Sequence, residues 1–123
     1  KTDKLGRIIN YSGKLRLEKG VRNSSAQLIA GGTDRLLGDQ GGHLIADRFG
    51  GSGELNNLVA MASNVNLSSY KRLENCWADE LKSGKSVFVN GKCFYEGISE
   101  RPTKFIIEYI IDGVKNKTII LNE

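Results

Sequence analysis

Along this 123-residue chain the hydrophobic positions fall into short blocks divided by glycine- and asparagine-bearing breaks. Residues 4–10 and 14–18 look like two strands, and Ser12-Gly13 between them predicts a hairpin. Residues 23–42 are rich in Gly, Ser and Asp and read mostly as loop, with a short helical turn around Ser25–Ala30. Two brief apolar runs follow, 43–46 (HLIA) and Leu58–Met61, separated by the loop Gly50-Gly51-Ser52-Gly53 and by Asn56-Asn57. The clearest element is a helix over 66–82. There Tyr70, Leu73, Trp77 and Leu81 recur at helical spacing and form one apolar face. Asn66 or Ser68 could cap its start, and Gly84 stands just past its end.

The last third is strand-rich. Residues 86–90 (SVFVN) and 93–95 (CFY) flank Asn90-Gly91, a two-residue hairpin signal. Residues 104–111 (KFIIEYII) and 117–121 (KTIIL) flank Asp112-Gly113, a second such signal. Hairpin, glycine-rich loop, two short strands, helix and meander together predict a single α+β domain over 1–123 with a mainly antiparallel sheet.

Composition narrows the function classes. No run of about 18 apolar residues exists, so no membrane span is expected. The chain lacks a signal peptide and a starting methionine, and it opens on a strand-like segment; the expectation is a domain cut from a longer protein. Net charge is +4, and it is unevenly spread. Lys1, Lys4, Arg7, Lys14, Arg16, Lys19 and Arg22 stand against only Asp3 and Glu18 in the first 22 residues, whereas the remainder holds 11 basic and 12 acidic side chains. A basic N-terminal arm suits phosphate contacts, although a solvated, solubilising face has the same composition. Cys76 and Cys93 allow one disulfide or two idle thiols. With one histidine and no CxxC, a structural zinc site lacks ligands.

The middle of the chain carries the candidate chemistry. His43, the only histidine, follows Gly41-Gly42; an imidazole titrates near neutrality and can take a proton from water. The two glycines would let a nucleic-acid backbone approach closely. Asn66 opens the helix and offers a hard amide oxygen; Glu74, eight residues on, lies beside the inward apolar stripe. Taken singly, each has an ordinary reading: a hydrogen-bonded structural histidine, a helix cap, and a carboxylate paired with Lys71 or Arg72.

Taken together, these residues resemble the DNA/RNA non-specific endonuclease family. The resemblance rests on Asp39-Gln40-Gly41-Gly42-His43-Leu44-Ile45-Ala46, Phe49-Gly50-Gly51-Ser52-Gly53, Asn57-Leu58-Val59 with Met61, Asn64-Val65-Asn66, and Tyr70-Lys71-Arg72-Leu73-Glu74 with Trp77. Leu5-Gly6-Arg7-Ile8, Gly97-Ile98-Ser99-Glu100-Arg101-Pro102 with Lys104-Phe105, and Tyr109 with Ile111-Asp112-Gly113 extend it over nearly the whole chain. More narrowly, it is similar to the toxin branch at the C-termini of LXG and type VII-secreted (EsaD-type) polymorphic toxins.

The resemblance implies a ββα-metal (His-Me finger) core, with 43–46 and 58–61 as its strands and 66–82 as its helix. It implies His43 as general base, Asn66 as direct Mg2+ ligand (with Mn2+ as a substitute) and Glu74 as acceptor for metal-bound water. It also implies double-stranded DNA as substrate, RNA being left open. A cognate immunity protein with an acidic face would be the partner. The domain would be secreted by a Gram-positive bacterium and act in a target cell's cytoplasm. The chain departs from the wider family at Gly41, where the better-known enzymes carry an arginine two residues before the histidine. Arg48, Arg35 and Arg101 are then the candidate phosphate clamps, Arg48 favoured by proximity in sequence. Asp39 could orient His43 or cap a loop, and Asn57 could support the loop between the core strands. The rival readings are a Cys–His or Ser–His hydrolase, for which no G-x-S-x-G exists, and a non-catalytic basic nucleic-acid-binding module.

Overall fold

A computed structural model describes residues 1–17, 24–53 and 55–123. Among the described residues six strands and two α-helices follow in order: β1 (Asn10–Lys14), α1 (Ser24–Ile29), β2 (Gln40–His43), β3 (Leu58–Met61), α2 (Tyr70–Lys82), β4 (Val87–Phe94), β5 (Lys104–Ile111) and β6 (Val114–Leu121). Strands β1, β4, β5 and β6 form an antiparallel sheet in the order β1-β4-β5-β6, and β2 pairs antiparallel with β3 in a separate ribbon. The α+β class and the mainly antiparallel sheet are as the sequence predicts, and β2, β3 and α2 supply the ββα unit.

Two of the three expected hairpins do not form. The stretch before β1 is a loop: the Asp3 carboxylate accepts hydrogen bonds from the backbone N–H of Leu5 and Arg7, Gly6 takes φ +77°, and one bridge joins Thr2 to Ile8. Ser12-Gly13 lies inside β1, which pairs with β4, some 80 residues away, instead of turning back. The second expected strand, 14–18, ends on residues outside those described, as do Lys19 and Arg22. Asn90-Gly91 likewise lies mid-strand in β4. Tyr11 stands opposite Gly91, and a Cβ there would fall 2.1 Å from the Tyr11 ring. The glycine therefore admits an aromatic ring from the neighbouring strand instead of making a turn. Asp112-Gly113 does turn, with both residues at positive φ (47° and 84°), the geometry of a two-residue hairpin.

The core lies between the inner face of the four-stranded sheet and α2. Alternate residues of β4 (Val87, Val89, Gly91, Cys93) are buried, and Phe105, Ile107 and Ile120 continue that face across β5 and β6. From α2, Trp77 packs edge-on to Tyr109 (5.6 Å between ring centroids) and Tyr70 edge-on to Phe105 (6.0 Å). The helical stripe expected from Tyr70, Leu73, Trp77 and Leu81 is thus the face that meets the sheet. Its first turn differs in kind: Val65–Ser69 forms a π turn, closed i→i+5, which runs directly into α2. Neither Asn66 nor Ser68 caps the helix.

The glycine pair before His43 serves the packing of its strand. A Cβ on Gly41 would stand 2.2 Å from the Gln27 carbonyl oxygen, and one on Gly42 would stand 2.7 Å from the Met61 methyl. The packing of α1 and β3 against β2 leaves no room for a side chain at either position. Both cysteines are free thiols, Cys76 exposed on α2 and Cys93 buried in β4; burial pushes the Cys93 thiol up to about 12.

Candidate active site

His43 closes β2, opposite Leu58, and its side chain is buried (7% exposed). The strand runs through the glycines to His43 and stops there, three residues short of the expected 43–46. Asn57 explains the stop. Its backbone carbonyl accepts from Leu44 N–H (2.9 Å); its side-chain oxygen accepts from Ile45 N–H (3.0 Å); its Nδ2 donates to the carbonyls of Ile45 (2.8 Å) and Ser52 (2.7 Å). The amide imitates a peptide group and holds the 44–52 loop where a continuing strand would have been. Asn57 is therefore a loop support, one of its two expected readings.

A second clamp acts on the residue after His43. Tyr70, wholly buried on α2, donates to the Leu44 carbonyl (2.6 Å), and its hydroxyl lies 2.7 Å from that of Tyr11 on β1. Tyr70's single proton goes to a carbonyl that has none to offer, so Tyr11 is the donor in the pair. Burial, followed by the mutual influence of the two phenols and by the nearby Glu74 charge, raises Tyr70 well above its usual range; burial likewise raises Tyr11. Both phenols are neutral wherever the protein works.

Three of the expected site residues share one cleft of about 250 Å3. Its lining is His43, Ala46, Asp47, Asn66, Leu67, Lys71 and Glu74. Asn66 reaches it from the π turn. Its Nδ2 donates to Gln40 Oε1 (2.7 Å), which fixes the amide plane and so the position of its oxygen. Glu74 reaches it from the second turn of α2 and is buried (8% exposed). An imidazole, an amide, two carboxylates (Asp47 and Glu74) and an ammonium thus line a common space. Among the described residues no group of three or more His, Cys, Asp or Glu is placed to hold a metal ion by itself. This donor set suits a hard, largely hydrated cation held by one oxygen better than a tight thiolate or imidazole cage.

The candidate clamps fare differently. Arg35 donates to the carbonyls of Gln27 (2.7 Å), Leu28 (2.8 Å) and Asp39 (2.8 Å), so it ties off the end of α1. Arg101 grips Asp39 through two contacts (2.7 and 3.0 Å) and donates to the Asn122 carbonyl (2.9 Å). Asp39 also accepts from Leu36 N–H (2.9 Å) and does not orient His43. Burial alone would raise the Asp39 carboxyl, but the Arg101 and Leu36 hydrogen bonds outweigh it and hold it below the usual carboxylate value. Arg48 leans over the Phe49 ring (5.2 Å) and donates to Asn75 Oδ1 (2.8 Å), one helical position beyond Glu74 and outside the cleft lining. None of the three arginines lines the cleft. The cation that does is Lys71, which sequence reasoning treated only as a partner for Glu74. It lies three residues before Glu74, and that helical spacing was the available signal. Asp47 was missed too; nothing local marks it.

Comparison with known proteins agrees with this geometry. Residues 1–113 match the family described as DNA/RNA non-specific endonuclease. Over 130 aligned residues covering the whole chain, it is 45% identical to the type VII secretion system protein EssD of Staphylococcus aureus strain USA300, and equally to that of strain NCTC 8325 / PS 47. The chain spans 21% of the length of these relatives. Among solved structures, NucA from Streptococcus agalactiae with magnesium ion bound matches with a TM-score of 0.76 at 16% identity, over 99% of this chain and 68% of that one. Sda1 nuclease with bound zinc ion matches at 0.82 and 15% identity, over 99% of this chain and 72% of that one. At such identities the likeness is one of fold, the ββα-metal arrangement.

Proposed function

Because the chain belongs to the DNA/RNA non-specific endonuclease family, we propose that it hydrolyses phosphodiester bonds of double-stranded DNA, without strong sequence preference, from the cleft between β2 and α2. The observation that carries this reading is the convergence of His43, Asn66 and Glu74 on that one cleft. His43 acts as general base and takes the proton of the attacking water; its place at the end of a clamped strand keeps the ring from drifting. Asn66 would hold a Mg2+ ion, for which Mn2+ could substitute, and Glu74 would accept hydrogen bonds from the ion's waters. Bound there, the cation would neutralise charge on the scissile phosphate and the leaving oxygen. Lys71 adds a fixed positive charge on the same wall and stands in for the arginine that Gly41 displaces.

The EssD relatives extend the proposal to context. We infer a toxin domain within a longer protein, exported through type VII secretion by a Gram-positive cell and active in the cytoplasm of a target cell. A cognate immunity protein with an acidic face would restrain it in the producer. Among the described residues no helix is long and apolar enough to cross a membrane.

Digestion of supercoiled and linear DNA with Mg2+, with and without EDTA, tests the central claim. Cutting should require the metal and should leave products without a preferred end sequence. Undiminished cutting in EDTA would refute the metal assignment.

A further inference from the structure

Beside the loop that follows His43 lies a larger groove, of about 800 Å3, lined by β1, by Ile45, by residues 49–52 and by Asn56 and Asn57. Ile45 lines this groove and the next residue in the chain, Ala46, lines the cleft. Three cations border it, Lys1, Lys14 and Arg16, and no carboxylate does among the described residues. Lys14 and Arg16 are exposed on or just beyond β1. That strand is the edge of its sheet, and an edge presents backbone N–H groups alongside its side chains. Asn10, Ser12, Ser52 and Asn56 add neutral hydrogen-bonding groups. A small apolar ligand would find few walls here. A polyanion would find cations, hydroxyls and amides along it.

We infer that this groove holds the phosphate backbone of duplex DNA beyond the bond being cut, with Lys14 and Arg16 as its phosphate contacts. The inference rests on the nuclease reading of the cleft and adds a binding subsite to it. Non-specific phosphate contacts carry no sequence information, so the groove lends reach without selectivity. It also makes long duplexes better substrates than short ones, because only a long one fills cleft and groove together.

The test uses the whole chain and its Lys14→Glu/Arg16→Glu variant, with Lys14→Gln/Arg16→Gln as a milder second variant and circular dichroism as the folding check. Binding of a labelled 30-bp duplex is followed by anisotropy in EDTA over a range of salt. Each phosphate contact contributes about 0.9 to the slope of log affinity against log salt, so the slope should fall by about 2 and low-salt affinity by at least about tenfold. With Mg2+, KM for the 30-bp duplex should rise with little change in kcat. The small diester bis(p-nitrophenyl) phosphate, which cannot reach from cleft to groove, should show no such KM change. A folded variant with unaltered slope and affinity would overturn the inference. So would equal losses on the duplex and the small diester, since these residues would then act on the cleft. Failure of the wild type to turn over either substrate would instead sink the nuclease reading, and the EDTA binding data would still decide the groove.

Discussion

The hydrogen-bond chain from Tyr11 through Tyr70 to the Leu44 carbonyl makes a quantitative prediction. Tyr70→Phe removes one hydroxyl and strands two groups in a buried setting: the Leu44 carbonyl loses its donor and the Tyr11 hydroxyl its acceptor. An unsatisfied buried group costs about 1–3 kcal/mol, and some relaxation is open to Tyr11, so the expected loss is about 2.5 kcal/mol. Tyr11→Phe strands neither, because Tyr70 still donates to Leu44, and should cost only about 1 kcal/mol. The unfolding entropy of a chain this long is about 260 cal/mol/K. Tm should therefore fall by about 10 °C for the first variant and about 4 °C for the second. The double variant is the decisive one. It no longer contains a stranded Tyr11 hydroxyl, so it should be no less stable than Tyr70→Phe alone, with a coupling of about 1 kcal/mol. Independent sites would add to within about 0.5 kcal/mol. Urea and thermal melts of all four proteins give the cycle, and additivity would refute the shared chain. Because Leu44 adjoins His43, Tyr70→Phe should also lower kcat more than it raises KM.

His43→Ala should lower the DNA cleavage rate by about 10²–10⁴, measured on purified protein with Mg2+; wild-type speed would end its assignment as general base. Asp39→Asn leaves Arg101 without its main partner and should cost about 2–3 kcal/mol at neutral pH. Asp39's folded pKa lies below the unfolded value of 3.8, so its contribution is complete above that value and is lost as pH falls through the folded one. Urea midpoints at pH 7 and pH 3 should differ less in the variant than in the wild type. Gly41→Ala drives a methyl into the Gln27 backbone and should destabilise by about 1–3 kcal/mol, visible as increased protease sensitivity of the α1 segment.

Where the chain was legible, neighbouring residues decided the structure. The α2 stripe and the Asp112-Gly113 turn are settled within their own windows, and both form as predicted. Ser12-Gly13 and Asn90-Gly91 carry the same turn chemistry and do not turn. The two segments pair with each other across some 80 residues, and the ring of Tyr11 over Gly91 is a fact of pairing that neither window contains. The site divides in the same way. His43, Asn66 and Glu74 stood out as a set only through their family resemblance. The holding groups were hidden because they are cross-chain: Asp39 to Arg101 spans 62 residues, and Tyr11 to Tyr70 spans 59. Conversely, the arginines proposed as phosphate clamps are drawn away by carbonyls, a carboxylate and an amide nearby in space.

The π turn at Val65–Ser69 alters the angular arithmetic of the helix. At about 100° per residue, positions seven apart in an α-helix fall within about 20° of one line, whereas positions eight apart overshoot two full turns by about 80°. Asn66 and Glu74 are eight apart, so a plain helical wheel would set them on different faces. A turn closed i→i+5 rotates less per residue and absorbs the extra one, which brings the two side chains back into phase over a single cleft. Removing Leu67 would therefore convert a π turn to an α turn and leave the pair aligned at a spacing of seven. A one-residue deletion that would scramble most helices should here conserve the angular relation between amide and carboxylate.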